Sequence, residues 1–156
     1  MAHWLFKTEP GCFSIDHLAA LPDQTSPWDG VRNYQARNMM RDDMKPGDTG
    51  LFYHSSIKEP AVVGVVTIVR AGYPDHTAWD PENQHYDPAS TPEKPRWYMV
   101  DVKLVKRLQT PLTRSLLATV PELAGMELLR RGSRLSVQPV TDAEYAIINR
   151  LMEHLA

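Results

Sequence analysis

The chain has 156 residues, 42% hydrophobic and 23% charged, with a formal net charge of −2, which suits one domain with a real core. That balance excludes a generally basic nucleic-acid coat, and no apolar run approaches the roughly 18 residues that cross a membrane. Its one cysteine, Cys12, excludes an internal disulfide, so a reducing, intracellular compartment is expected.

The first residues, "MAHWLFKTEP", have neither the basic start nor the apolar stretch of a signal peptide. "HWLFK" reads as a first strand. "SIDHLAAL" reads as a helix, with Ser14 as N-cap and Ile15, Leu18 and Leu21 at helical spacing, ended by Pro22. Residues 23–30 read as a loop. "NYQARNMMRDDM" forms a second helix capped by Asn33 and stopped before Pro46-Gly47.

Two strand signals follow. Thr49–Ser55 alternates Leu51, Tyr53 and Ser55 against Phe52 and His54, and Ala61–Arg70 is β-branched almost throughout, with "SIKEP" between them as a hairpin loop. Residues 71–95 hold Pro74, Pro81, Pro88, Pro92 and Pro95 and read as a long loop, which in a compact domain is usually functional or disordered. Arg96–Leu108 is a further strand, short helices occupy 113–131, and "RLSVQPV" is a brief last strand. The final helix opens at Thr141 with Glu144 three residues on, a capping box. This order predicts an α+β fold: a mainly antiparallel, curved sheet or small barrel with helices packed on it. Neither G-x-G-x-x-G nor a P-loop pattern occurs, so a doubly wound nucleotide-binding sheet fits badly.

Charge is uneven along the chain. Asp75, Asp80, Glu82, Asp87 and Glu93 lie in a stretch with no Lys or Arg, whereas 94–134 carries nine Lys/Arg against three acids. Arg outnumbers Lys eleven to six, and Arg is the better group for planar hydrogen bonding and phosphate contacts. Ordinary surface charge explains the same numbers.

Four groups carry candidate chemistry. In "WLFKTEP", a Lys and a Glu at a strand end suit a pocket rim or a salt-bridged end. In "WDGVRNYQARN", the Asp-Gly turn lifts Trp28 out of the scaffold with Arg32 and Asn33 beside it. Asn can read a base edge, and Arg can contact phosphate or stack on a base; the alternative is a core Trp28, a capping Asn33 and an exposed Arg37/Arg41 stripe. In "FYHSS", His54 and Ser55 point to opposite faces of a strand and cannot form a hydrolytic dyad, and no G-x-S-x-G elbow surrounds them. Tyr53 and Ser55 share a face and suit binding. In "YPDHTAWDPENQHYDP", Asp75, His76, Asp80, His85 and Asp87 could each bind a metal, but their spacing matches no tight ligand pattern. A lid or rim loop held by turns, gripped by Trp79 and Tyr86, accounts for the segment equally.

These stretches, with "RW" and "RLSVQP" in the same order and spacing, resemble the EVE domain family from Trp4 to the final helix. The resemblance implies a single domain over 1–156 with a PUA-like fold, a small curved β-barrel with flanking helices. It implies kinship with PUA and ASCH domains and with YTH domains, which hold a methylated adenine of RNA in an aromatic cage. It further implies a non-catalytic reader of modified bases in DNA, needing no cofactor or metal. Position by position, Trp28 becomes a cage wall flanked by Arg32 and Asn33. Lys7, Thr8 and Glu9 lie at the pocket edge. Tyr53, His54 and Ser55 line the floor, with Trp97 nearby.

The expected function is therefore capture of one flipped, modified base of DNA, sandwiched by Trp28 and either Tyr53 or Trp97 and read at its edge by Asn33 and Ser55. Arg32, Arg37, Arg41, Arg130, Arg131 and Arg134 are expected on phosphates. Tyr73, Asp75, His76 and Trp79 are expected in a lid loop. Three rivals stand beside it: an RNA reader of the same fold, a metal-assisted enzyme acting on a small molecule or nucleotide through the His/Asp loop, and a protein-interaction module. No membrane partner is expected, and the oligomeric state stays open. The expected location is the cytoplasm of a bacterial cell, or the nucleus if the source is eukaryotic.

Overall fold

The computed structural model describes residues 1–155. In chain order it contains β1 (His3–Thr8), α1 (Ile15–Ala20), β2 (Thr25–Pro27), α2 (Tyr34–Asn38), β3 (Thr49–His54), β4 (Ala61–Pro74), β5 (Tyr98–Thr113), α3 (Arg114–Ala118), β6 (Val137–Val140) and α4 (Asp142–Leu155). The strands form one sheet in the order β2-β5-β4-β3-β1-β6, with β1 and β3 parallel and the other pairs antiparallel. This is the α+β, curled-sheet architecture expected.

Strand alternation decides which side each residue serves. Trp4, Phe6 and Phe52 enter a core beneath α1 and α2. Leu5, Leu51 and Tyr53 enter a second core on the other face, closed by Leu117 of α3 and by Ile148 and Met152 of α4. Ile148 and Met152 are four residues apart and so share one helix face. Both faces of the sheet are thus covered, which explains the near-continuous apolar runs in β3 and β4.

Three elements differ from expectation. β2 lies inside the segment read as a loop; it is short and sits at a sheet edge, where Pro27 costs no ladder hydrogen bond. β4 runs on to Pro74 and β5 to Thr113, so the supposed loop begins later, and Tyr73 is a strand residue. Their pairing is broken by four register shifts, between Val62/Gly64, Val65/Val66, Ile68/Arg70 and Arg70/Tyr73. Bulges bend and twist a strand pair, and they scramble the period-2 pattern from which strand ends are read. Helix α2 also gives way to a π turn at Met39–Asp43. That turn lies against β4 at Gly72, where a Cβ would collide with the Met40 carbonyl.

The curl brings the two ends of the sheet to one place. Ser26 and Pro27 on the β2 edge and Lys7, Thr8 and Ser136 beside the β6 edge line the same cleft.

Candidate nucleic-acid interface

The cleft has a volume of about 820 Å³, within the range of sites that hold a small ligand. One wall is the turn Trp28–Val31; another is the β1–α1 turn with Cys12 and Phe13; the rim opposite is Glu82–His85.

Trp28 does not stand free. Its indole is held edge-on by Phe6, Phe13 and Phe52 at ring separations of 5.1, 6.0 and 5.6 Å. Its backbone N–H donates to Val100 O at 2.7 Å, extending the β2 edge by one residue. Only 7% of Trp28 is exposed, so it lines the cleft as a rigid floor rather than as a projecting wall. Phe13 is the second ring of the cleft.

The β1–α1 turn that carries Phe13 is fixed by neighbours. Thr8 Oγ1 donates to Phe13 O at 2.9 Å, and Ser55 N donates to Thr8 O at 2.8 Å. His54 Nε2 accepts from Ile15 N at 3.1 Å. Burial pushes the His54 imidazolium below its ordinary pKa, opposed by Asp16. His54 and Ser55 therefore support the wall and do not form the floor. Glu9 is exposed, and its carbonyl accepts from Cys12 and Phe13 N–H groups. Lys7 lines the cleft, and burial together with Arg114 lowers its pKa.

The opposite rim is organised by Asp75, which is fully buried. Its Oδ2 accepts from Gly30 N at 2.8 Å and Arg32 Nη1 at 3.0 Å; its Oδ1 accepts from Thr77 N at 2.9 Å and Thr77 Oγ1 at 2.6 Å. Burial alone would raise the Asp75 pKa. The Thr77, Gly30 and Arg32 donors outweigh it and hold the carboxyl below its ordinary range. Arg32 continues to His85 O, with Nη2 at 2.7 Å and Nε at 3.2 Å. Asp75 and Arg32 thus clamp the Trp28 turn to the His85 rim. Gly30 sits at φ +78°, and a Cβ there would lie 2.6 Å from the His85 ring, so glycine is required by both the backbone and the close approach.

Several expected placements are corrected by this geometry. Tyr53 is 2% exposed and faces the second core, because period-2 alternation puts it opposite Phe52 and hence away from Trp28. Burial raises its phenol pKa. Trp97 is buried outside the cleft, donating through Nε1 to Asp87 Oδ2 at 2.7 Å. Neither ring can sandwich a base against Trp28. Asn33 is the α2 N-cap, with Oδ1 accepting from Ala36 N at 3.0 Å; it does not line the cleft. Arg32 flanks Trp28 in sequence, but its donors are engaged by protein acceptors, which removes it as a phosphate contact. Asp75 is a buried anchor, Tyr73 donates to Asp101 from β4, and His76 and Trp79 sit in a 3-10 turn outside the cleft lining. The rim residues are instead Glu82–His85.

Arg37 and Arg41 flank the exposed side of α2 and its π turn, and Asp42 binds Arg41 through two bonds of 2.8 and 2.9 Å. Arg130, Arg131 and Arg134 are exposed on the segment leading to Ser136 at the cleft. Phe13, Asn83, Gln84, His85 and Ser136 escaped the sequence reading as base-pocket residues. Phe13 carries a signal, since an apolar residue just before an N-cap marks a helix entry; His85 stands out in the sequence only as a candidate metal ligand. Among the described residues no group of three or more His, Cys, Asp or Glu could hold a metal ion. Asp75 is enclosed by its donors, while Asp80 and Asp87 accept from backbone N–H groups in turns.

Comparison with known proteins places this geometry. The EVE domain model matches residues 2–151. Human thymocyte nuclear protein 1 is 43% identical over 97% of this chain and 74% of its own length. A structure of a protein from Leishmania major superimposes with a TM-score of 0.92 at 52% identity, covering 99% of this chain and 96% of that one. The crystal structure of the human THYN1 protein in complex with 5-methylcytosine-containing DNA gives a TM-score of 0.90 at 42% identity, covering 98% of each chain.

Proposed function

This chain belongs to the EVE domain family, and from that membership we propose that it is a non-catalytic module that binds DNA and holds one flipped, modified base in the cleft over Trp28. The observation that carries the reading is positional. The cleft lies between the two ends of the curled sheet and is floored by an immobilised indole, in a fold shared with a protein solved with 5-methylcytosine-containing DNA.

The chemistry supports binding over turnover. Phe13 and Trp28 offer apolar ring surface for a planar heterocycle and its methyl group. Base–aromatic contacts contribute roughly 1–3 kcal/mol each, which can offset the few kcal/mol needed to unstack a base. Thr8, Asn83, Gln84 and Ser136 supply neutral donors and acceptors for the base edge, and the carboxylates of Asp29 and Glu82 can accept from an exocyclic amine. Arg130, Arg131 and Arg134 approach from the β6 side and suit the phosphates.

Titration of the protein with paired oligonucleotides, identical except for cytosine or 5-methylcytosine at one position, tests the proposal. Tighter binding of the methylated strand, weakened by Trp28→Phe, is expected. The phenylalanine variant preserves more of the core than alanine would. Equal affinity for both strands and no effect of the substitution would remove the cleft from consideration.

A further inference from the structure

Beyond the cleft, arginines and aromatic rings form a connected run. Arg32, whose guanidinium holds the His85 rim, has its Cζ 5.4 Å from the Trp97 ring centroid. Trp97 stacks on Tyr34, with centroids 4.9 Å apart and planes 24° from parallel. Arg37 follows, its Cζ 4.9 Å from the Tyr34 centroid. The surface continues to Arg41 on the π turn, whose Cζ is 5.9 Å from the Tyr98 centroid. Pro74 pairs with Tyr98 and Gly72 faces the π turn, so alternation turns Tyr73, with Arg70 over its ring, to the other face of β4 and outside this patch.

We propose that this patch, from Tyr34 and Arg37 beside the clamp to Arg41 on the π turn, carries the nucleotides that flank the base in the cleft, stacking one flanking base and contacting phosphates. The proposal rests on the base-binding reading of the cleft. Tyr34 is 52% exposed, more than its packing on Trp97 requires, and an exposed ring already stacked on another is a rigid platform for a nucleobase. Arg37 is oriented by Nη1 donating to Arg96 O and Nε donating to Asn38 Oδ1, both at 3.0 Å. A guanidinium fixed in this way loses little freedom on meeting a phosphate.

The acids of the patch limit its charge. Asp42 takes two Arg41 bonds, and Asp87 lies 4.0 Å from Arg96. Arg37 has no ion pair among the described residues. A patch of many rings and few free cations fits a strand held mainly by stacking. An acidic peptide would call for more uncompensated charge.

The test compares wild type with Tyr34→Ala/Arg37→Gln and with Arg37→Gln alone, each checked for an unchanged melting temperature. Each is titrated with single-site 5-methylcytosine and cytosine oligonucleotides at two salt concentrations. The double variant should lose about 10-fold or more in affinity for both oligonucleotides, leaving the ratio between them unchanged. Arg37→Gln alone should flatten the salt dependence by roughly 0.7–0.9 for the charge removed. Wild-type affinity in both variants would overturn the proposal. A collapse of the methylated-to-plain ratio would also overturn it, because the run would then only prop the cleft. Wild-type protein that binds both oligonucleotides equally, while the double variant still weakens, would sink the base-reading premise and leave the patch standing.

Discussion

Asp75 joins two segments that lie 45 residues apart in sequence, through the bond it accepts from Gly30. Replacing it with Asn would present an amide N–H to one of its donors and leave the Arg32 charge half-buried without its counterion. Breaking such a pair costs roughly 3 kcal/mol, and in a chain of this size that is a melting-temperature fall of about 6–12 °C. Calorimetry of Asp75→Asn should show it, together with weakened binding in the cleft. Gly30→Ala should act at the same place by strain and by displacing the His85 ring, at a cost of about 1–3 kcal/mol. A variant that melts and binds like wild type would mean that the rim is not set by this clamp. The sequence points to Gly30 and Arg32 through their turn, but marks Asp75 only as a lid-loop acid and a candidate metal ligand. Its role depends on burial beside a glycine N–H contributed from elsewhere in the chain.

The β1–α1 turn is the element that turns strand chemistry into a cleft wall. Its helix begins with a reciprocal cap: Ser14 Oγ accepts from His17 N at 3.2 Å and Ser14 N donates to His17 Nδ1 at 2.9 Å. Ser14→Ala should cost about 1 kcal/mol in chemical denaturation. The same turn gives the fold a pH response. His54 is neutral where it accepts from Ile15 N, and its pKa is lowered by burial. A lowered folded-state value means that the unfolded chain binds the proton first. The stability from this group is complete above about pH 6.5, the ordinary histidine value, and is lost as pH falls from there through the folded pKa. Melting temperature should therefore decline between pH 7 and pH 5, and His54→Gln, which can accept without titrating, should flatten that part of the profile. A profile identical in the variant would assign the decline to another group. The cap was legible, because Ser14 stands three residues before a polar side chain at the edge of an apolar helical pattern. The support from His54 was not, since a strand residue reveals its face by alternation but not the helix that packs over it.

At the scale of the molecule, the cleft exists because the sheet curls until its two ends approach. Cys12 offers a direct probe of its use: it is the one cysteine of the chain, it is exposed, and it lines the cleft. Bound DNA should slow its alkylation, and a bulky thiol adduct should in turn weaken DNA binding. An alkylation rate unaffected by saturating oligonucleotide would put the DNA on another surface.

The sequence by itself determined the α+β class, most strand and helix positions, the helix caps at Ser14, Asn33 and Thr141, and the family. These follow from local propensity, periodicity and motifs that need no distant partner. Thr141 and Glu144 form their reciprocal bonds at 3.0 and 3.1 Å, as two residues of one helix turn can. Only the tertiary structure decided which rings meet. Alternation had already set Tyr53 and Phe52 on opposite faces; which face held Trp28 depended on how helices and edges close over the sheet. Bulges in β4 and β5, the turn to the second core at Tyr53, and the clamp from Arg32 to His85 all arise from contacts between segments far apart in the chain. Such contacts are set by packing in three dimensions, which no local pattern encodes.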